Sequence, residues 1–109
     1  MGVKVSVQVV TTGVFFQRDY LTVYCEDSNI RNKATELLDK SFKDLCYKGD
    51  WENVYFDDSP KKLNPNMLRV KLKKNHIITP THVQTCFSYH PKMSFKKIIA
   101  NDVIFECNF

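Results

Sequence analysis

Glycine is scarce in this 109-residue chain, which contains only Gly2, Gly13 and Gly49. Phosphate-cradling loops need several closely spaced glycines, because the backbone amides must approach the phosphate oxygens. The sequence therefore excludes a P-loop and a dinucleotide-binding fingerprint. No arrangement of nucleophile, base and acid has a recognisable catalytic spacing either. We expect a protein that is not an enzyme, without catalytic residues and without a cofactor.

Long apolar runs are also missing. No stretch approaches the roughly 18 apolar residues that would indicate a membrane-spanning helix, and no charged n-region followed by an apolar h-region indicates a secretory signal. We expect one domain covering residues 1–109, without a membrane span, in the cytoplasm or nucleus rather than secreted. The start MGVKVS matches the pattern for myristoylation of Gly2. A strand that begins at Val3 would expose little free arm for this modification, and the sequence leaves the question open.

The four cysteines are Cys25, Cys46, Cys86 and Cys107. An even number is compatible with two disulfides in a secreted protein. The chain has no export signal, however, and each cysteine lies in an apolar local pattern. These two features indicate reduced, buried thiols.

Acidic residues are absent between Asp58 and Asp102. The net charge is +9 over residues 59–101, −3 over residues 1–58 and −2 over residues 102–109, which together make the overall +4. The cations of the acid-free stretch are Lys61, Lys62, Arg69, Lys71, Lys73, Lys74, Lys92, Lys96 and Lys97. Such a separation of charge along the chain favours a polyanionic or acidic partner.

Most of the chain has the patterning of β-strands, with apolar and polar residues alternating or β-branched and aromatic residues clustered. The strands predicted from this pattern cover residues 3–10, 14–17, 20–25, 51–56, 67–73, 82–89 and 95–109, the last with a kink at 101–102. Residues 63–66 are expected to lie in a loop.

One amphipathic helix is predicted over residues 30–48. Its apolar stripe consists of Ile30, Ala34, Leu37, Leu38, Phe42, Leu45 and Cys46. Asp27, Ser28 and Asn29 are candidate N-caps, and Gly49 can end the helix. The order of elements indicates an α+β fold with a mainly antiparallel sheet, or a small OB-like barrel, with one amphipathic helix. The closing segment KKIIANDVIFE resembles the end of a bacterial-type single-stranded-DNA-binding domain, over eleven residues that do not identify the family.

The candidate binding residues combine cations with aromatic rings. Arg69, Lys71 and Lys73 point to the polar face of one predicted strand, at intervals of about 6.6–6.8 Å that suit successive phosphates of an extended single strand. Single-strand binders also need rings on which bases stack. The nucleic-acid-binding candidates are therefore Lys61, Lys62, Arg69, Lys71, Lys73, Lys74, Tyr20, Tyr24 and Tyr89. The alternative is that these lysines only protect a strand edge and keep the chain soluble.

His82, Cys86 and His90 recur at intervals of four. On a helix this spacing would place metal ligands on one face. In the strand predicted for residues 82–89 it separates neighbouring ligands by about 13 Å, too far for one ion. We therefore expect no metal site.

Two functions remain open at this point. The first is a non-enzymatic protein that binds single-stranded DNA or RNA through the basic strand face, with aromatic stacking. The second is a small protein-interaction module, such as a viral accessory or regulatory subunit. It would use the basic face, or an exposed strand edge such as residues 3–10, to bind an acidic protein or a second copy of itself.

Overall fold

An antiparallel sheet with two helices on one face forms the described part of the protein. The computed structural model describes residues 2–12, 15, 18–42, 51–55, 62–73, 78–88 and 90–108. The strands are β1 (Val3–Thr12), β2 (Arg18–Tyr24), β3 (Glu52–Tyr55), β4 (Leu63–Lys71), β5 (Met93–Ile99) and β6 (Asp102–Cys107). The helices are α1 (Ser28–Ser41) and α2 (Pro80–Ser88). The α+β class with a mainly antiparallel sheet is thus confirmed.

The strands lie in the order β3-β4-β2-β1-β6-β5, and every neighbouring pair is antiparallel. The end strands β3 and β5 do not pair with each other among the described residues, so this part of the chain is not the closed OB-like barrel of the alternative prediction. β1 pairs with β2 on one side and with β6 on the other. The prediction that residues 3–10 form an exposed edge is therefore wrong.

The core lies between the helices and one face of the sheet. Val7 of β1 is the register partner of both Val23 in β2 and Val103 in β6, and all three are fully buried. Alternate residues of β2 and β4, such as Leu21 and Val70, continue this apolar face. The predicted alternation is confirmed in these strands. Each such side chain stabilises the fold by about 1.5–3 kcal/mol relative to an exposed one.

Helix α1 confirms the predicted amphipathic helix. It begins after Asp27, whose carboxylate accepts hydrogen bonds from the amides of Asn29 and Ile30 at 2.9 and 3.0 Å. The side chains of Ile30, Ala34 and Leu38 are buried, and the helix packs against β2 and β4. It ends at Ser41, with Phe42 as its C-cap, and is therefore shorter than the helix predicted over residues 30–48; Gly49 lies outside the described residues.

Helix α2 replaces the strand predicted over residues 82–89. The Thr79 amide donates to His82 Nδ1 at 3.2 Å, and the His82 amide donates to Thr79 Oγ1 at 3.3 Å. This reciprocal pair resembles a capping box, and Pro80 occupies the first helical position, where its missing N–H has no cost. Val83 and Phe87, four residues apart, are buried, and the Phe87 ring lies 4.7 Å from that of Phe105 between centroids. The prediction of a single helix is correct for α1 and omitted α2.

Two further boundaries differ from prediction. Residues 63–66, predicted as a loop, belong to β4. The predicted kinked strand over residues 95–109 is a hairpin of β5 and β6 that reverses at Ala100 and Asn101, with Ala100 at a positive φ of 53°. Among the described residues, neither helix combines the length and the apolar character that crossing a membrane requires.

Candidate nucleic-acid interface

The sheet face opposite the helices, here called the open face, carries the candidate residues of β2 and β4. In the register of these strands, Tyr20 lies opposite Lys71, Thr22 opposite Arg69, and Tyr24 opposite Met67. These residues alternate with the buried Leu21, Val23 and Val70, so the alternation places them on the face that the helices leave uncovered. Two of the predicted cations, Arg69 and Lys71, and two of the three predicted rings, Tyr20 and Tyr24, are therefore brought together.

Arg69 is held by two contacts on the open face. Its Nε donates to Glu52 Oε1 at 2.7 Å, because Glu52 of β3 is its register partner. The guanidinium carbon lies 4.3 Å from the centroid of the Tyr20 ring. A cation–π contact at an exposed site contributes about 0.5–1 kcal/mol. Arg69 is thus fixed in position over one face of Tyr20.

Glu52 is the residue that sequence reasoning missed. Its carboxylate offsets the charge of Arg69 within the predicted basic row, and nothing in the local sequence signals that β3 lies beside β4. The ion pair uses only Nε of Arg69. Among the described residues, no hydrogen bond involves the two terminal nitrogens of Arg69, so its guanidinium retains donors for a second anion.

The remaining predicted lysines do not form one continuous row. Lys71 is half-buried beside Tyr20, and Lys73 lies two residues beyond the end of β4. Lys62 is exposed before the other end of β4, about 30 Å from Lys71 at a rise of about 3.3 Å per residue. It therefore lies too far away to share a compact site with Lys71. Lys61, Lys74 and Tyr89 lie outside the described residues.

A second group of cations lies on the other half of the open face. The structure places Lys4 of β1 near Lys96 and Lys97 of β5 around a cavity of about 510 Å³. The lining residues are Gly2, Lys4, Lys96, Lys97, Ile99, Ile104, Phe105 and Glu106. Lys96 Nζ lies 3.7 Å from Glu106 Oε2. β5 and β4 are four strand spacings apart, about 19 Å, so Lys96 and Lys97 are distant from Arg69 and Lys71, whereas Lys4 lies on β1, next to β2.

The described histidines and cysteines, which exclude His76 and Cys46, form no recognisable metal centre. His82 and Cys86 lie about one helical turn apart on α2. The prediction that they lie on a strand, too far apart to bind one metal ion, was therefore wrong. However, His82 Nδ1 accepts from the Thr79 amide, and Cys86 Sγ donates to the Leu37 carbonyl at 3.8 Å. No cluster of three potential metal ligands occurs in the part of the chain that the structure describes.

The described cysteines are free thiols rather than reactive thiolates. Burial raises the pKa of Cys25, Cys86 and Cys107 above the ordinary thiol value of 9.0. Cys46 lies outside the described residues. Reduced, buried thiols were predicted; Cys25 and Cys107 are buried free thiols, and Cys86 is a half-buried free thiol.

No protein-family model matches the chain, and no curated protein or solved structure matches it at a significant level. The functional argument therefore depends on the geometry of this chain alone.

Proposed function

We propose that the protein binds single-stranded nucleic acid on the half of the open face formed by β2 and β4. In this proposal Tyr24 stacks with a base, while Arg69 and Lys71 contact phosphates. The observation that carries the proposal is the β2–β4 register, which puts Tyr20 opposite Lys71, and Arg69 diagonal to both Tyr20 and Tyr24, on the sheet face opposite the helices. No bound metal or cofactor is needed for such an interface.

Tyr24 is the principal stacking ring. It is half-buried, and among the described residues no aromatic or cation–π contact involves it. Tyr20 has a different role, because the Arg69 guanidinium already covers one of its faces. Stacking of a base on an aromatic side chain contributes about 1–3 kcal/mol and tolerates any base, because every base has a π-face. The expected recognition is therefore weakly dependent on sequence.

Arg69 and Lys71 supply the electrostatic part of the site. They are two residues apart on one strand, so their side chains start about 6.7 Å apart on the same face. Each cation that neutralises a phosphate of a single strand changes the slope of log K against log salt by about −0.7. The two residues together predict a slope of about −1.4, before any contribution from Lys73.

The test is fluorescence anisotropy with labelled dT12, U12 and a 12-base-pair DNA duplex over a series of salt concentrations. We expect Lys71→Glu to weaken binding of dT12 or U12 and to make the salt slope shallower by at least about 0.7. The matched control is Lys40→Glu, which makes the same charge change on an exposed position of α1. It should leave affinity within about twofold, because it lies on the helix that covers the other face of the sheet.

Tyr24→Ala tests stacking separately from charge. We expect at least about fivefold weaker binding, the lower end of the stacking range, whereas Tyr24→Phe should bind like the wild type because it keeps the ring. The proposal is wrong if the wild type binds neither single strand at 50 mM salt. It is also wrong if the duplex binds more tightly than both single strands, or if Tyr24→Ala and Lys71→Glu bind normally.

A further inference from the structure

Strand β5 ends the sheet with an unusually apolar exposed edge. Within the described part of the chain it pairs with β6 alone. Phe95 and Ile98 are each 39% exposed and Ile99 is 52% exposed. An exposed strand edge with apolar side chains is a template for pairing with another chain.

The backbone of β5 has groups available for such pairing. The Asn108 amide donates to the Lys92 carbonyl at 2.9 Å, which makes these two residues a hydrogen-bonded pair across the hairpin. Bonded and non-bonded pairs alternate in an antiparallel ladder. Phe95, the register partner of Phe105, is therefore in a non-bonded pair, and its N–H and C=O point away from β6. These groups can hydrogen-bond to an added strand.

The side chains of β5 have different chemistry on its two faces. Phe95 lies on the core side, where its ring centroid is 6.0 Å from that of Phe105, and Ile98 pairs across from the buried Val103. A register shift between Phe95 and Lys97 marks a β-bulge, and Lys96 and Lys97 both line the cavity on the open face. An added strand would thus meet Phe95 and Ile98 on the core side, and Lys96 and Lys97 together with Ile99 on the open face.

The charges of Lys96 and Lys97 distinguish between a second copy of this chain and a different protein as the partner of β5. In an antiparallel pair of two β5 strands, Lys96 and Lys97 near the middle of one strand would face the same lysines of the other copy. Like charges directly opposite each other destabilise a sheet. An incoming strand with carboxylates on that face would instead form ion pairs with them. The charge therefore favours an acidic partner over self-association.

We propose that β5 binds an extended, acidic segment of a partner protein, which adds to the sheet edge as a further antiparallel or parallel strand. Alternate residues of this segment are apolar and pack beside Phe95 and Ile98. The intervening residues are acidic and face Lys96 and Lys97. β5 is three strand spacings from β2 and four from β4, about 14 and 19 Å across the sheet, so this site does not depend on the proposed nucleic-acid interface.

The experiment uses a fluorescein-labelled octapeptide that alternates valine and glutamate, with a valine–lysine octapeptide as the control ligand. We expect the full-length protein to bind the first peptide and not the second. Lys96→Glu/Lys97→Glu should weaken binding about tenfold at low salt, since two attractive exposed pairs become repulsive. The control Lys40→Glu reverses a charge at an exposed position of α1 and should leave affinity for the peptide within about twofold, because α1 lies on the other face of the sheet, packed against β2 and β4.

Hydrogen exchange shows whether the peptide adds as a strand. In the wild-type protein the Phe95 N–H points away from β6. Saturation with the valine–glutamate peptide should therefore slow hydrogen exchange at this amide. Peptide binding without protection of residues 93–99, or equal affinity in the charge-reversed variant, would overturn the proposal. A dimer through β5 in sedimentation experiments, or protection of Phe95 by dT12 in place of the peptide, would likewise overturn it.

Discussion

Replacing Glu52 with glutamine should strengthen nucleic-acid binding while it weakens the fold. Glu52 accepts a hydrogen bond from Arg69 Nε at 2.7 Å, and the same guanidinium lies over Tyr20. The substitution removes one negative charge from the proposed phosphate site and keeps the size and hydrogen-bonding oxygen of the side chain. Its effects on affinity and stability are expected to have opposite signs.

The magnitudes follow from the geometry. A phosphate bound to the free nitrogens of Arg69 would lie about 6 Å from the Glu52 carboxylate, where repulsion in a water-like dielectric is about 0.7 kcal/mol. Removing that repulsion corresponds to binding about threefold tighter. The side chains of Glu52 and Arg69 are 54% and 31% exposed, so their ion pair is screened by solvent. Its loss should cost about 0.2–1 kcal/mol of the free energy of unfolding.

Anisotropy with dT12 at 50 mM salt measures the affinity, and urea unfolding measures the stability. Glu36→Gln on α1 is the matched control, because it makes the same change in net charge at an exposed position of the covering helix. The gain in affinity should disappear at 0.5 M salt, since the Debye length then falls below about 5 Å. Unchanged or weaker binding by Glu52→Gln at low salt would refute the placement of a phosphate at Arg69.

Three predictions concern the fold. Asp27→Ala removes the N-cap of α1 and should lower the free energy of unfolding by about 1 kcal/mol in urea titrations, whereas Asp27→Ser should restore most of it. Ala100→Gly should raise stability by about 0.5–1 kcal/mol, because glycine relieves the positive φ; a lower melting temperature would contradict this. The raised thiol pKa values of Cys25 and Cys107 predict that alkylation of the native protein is slow, and rapid labelling without denaturant would contradict this. They also predict that the contribution of these thiols to the free energy of unfolding is fully present below pH 9 and is lost as the pH rises above it.

Segment 80–88 shows where local patterning misleads. Its β-branched and aromatic residues favour a strand by intrinsic propensity. The helical signal is also present, in Thr79 and His82 as reciprocal caps and in Pro80 at the first turn. In the helix Val83 and Phe87 are both buried, and the Phe87 ring packs against Phe105. Packing overrides a propensity scale that spans about 1 kcal/mol.

Part of the candidate site was predictable from the alternation of side chains along the strands. Alternation in β2 and β4 correctly assigned Tyr20, Tyr24, Arg69 and Lys71 to a polar face, because side chains of a strand alternate between the two faces of the sheet. The same reasoning grouped Lys62 with them, although it lies near the opposite end of β4. It could not indicate the ion pair that Arg69 forms, since this depends on the strand next to β4.

Local patterning was sufficient to predict the faces of β2 and β4, the start of α1 within residues 27–29, and the concentration of cations between residues 59 and 101, because these properties depend on residues close together in the chain. Which strands are neighbours became clear from the folded chain alone. The tertiary structure set Glu52 beside Arg69, brought Lys4 near Lys97, and left β5 rather than β1 at the edge. The physical reason is that pairing between strands distant in sequence is selected by burial of the whole core, which no local pattern encodes.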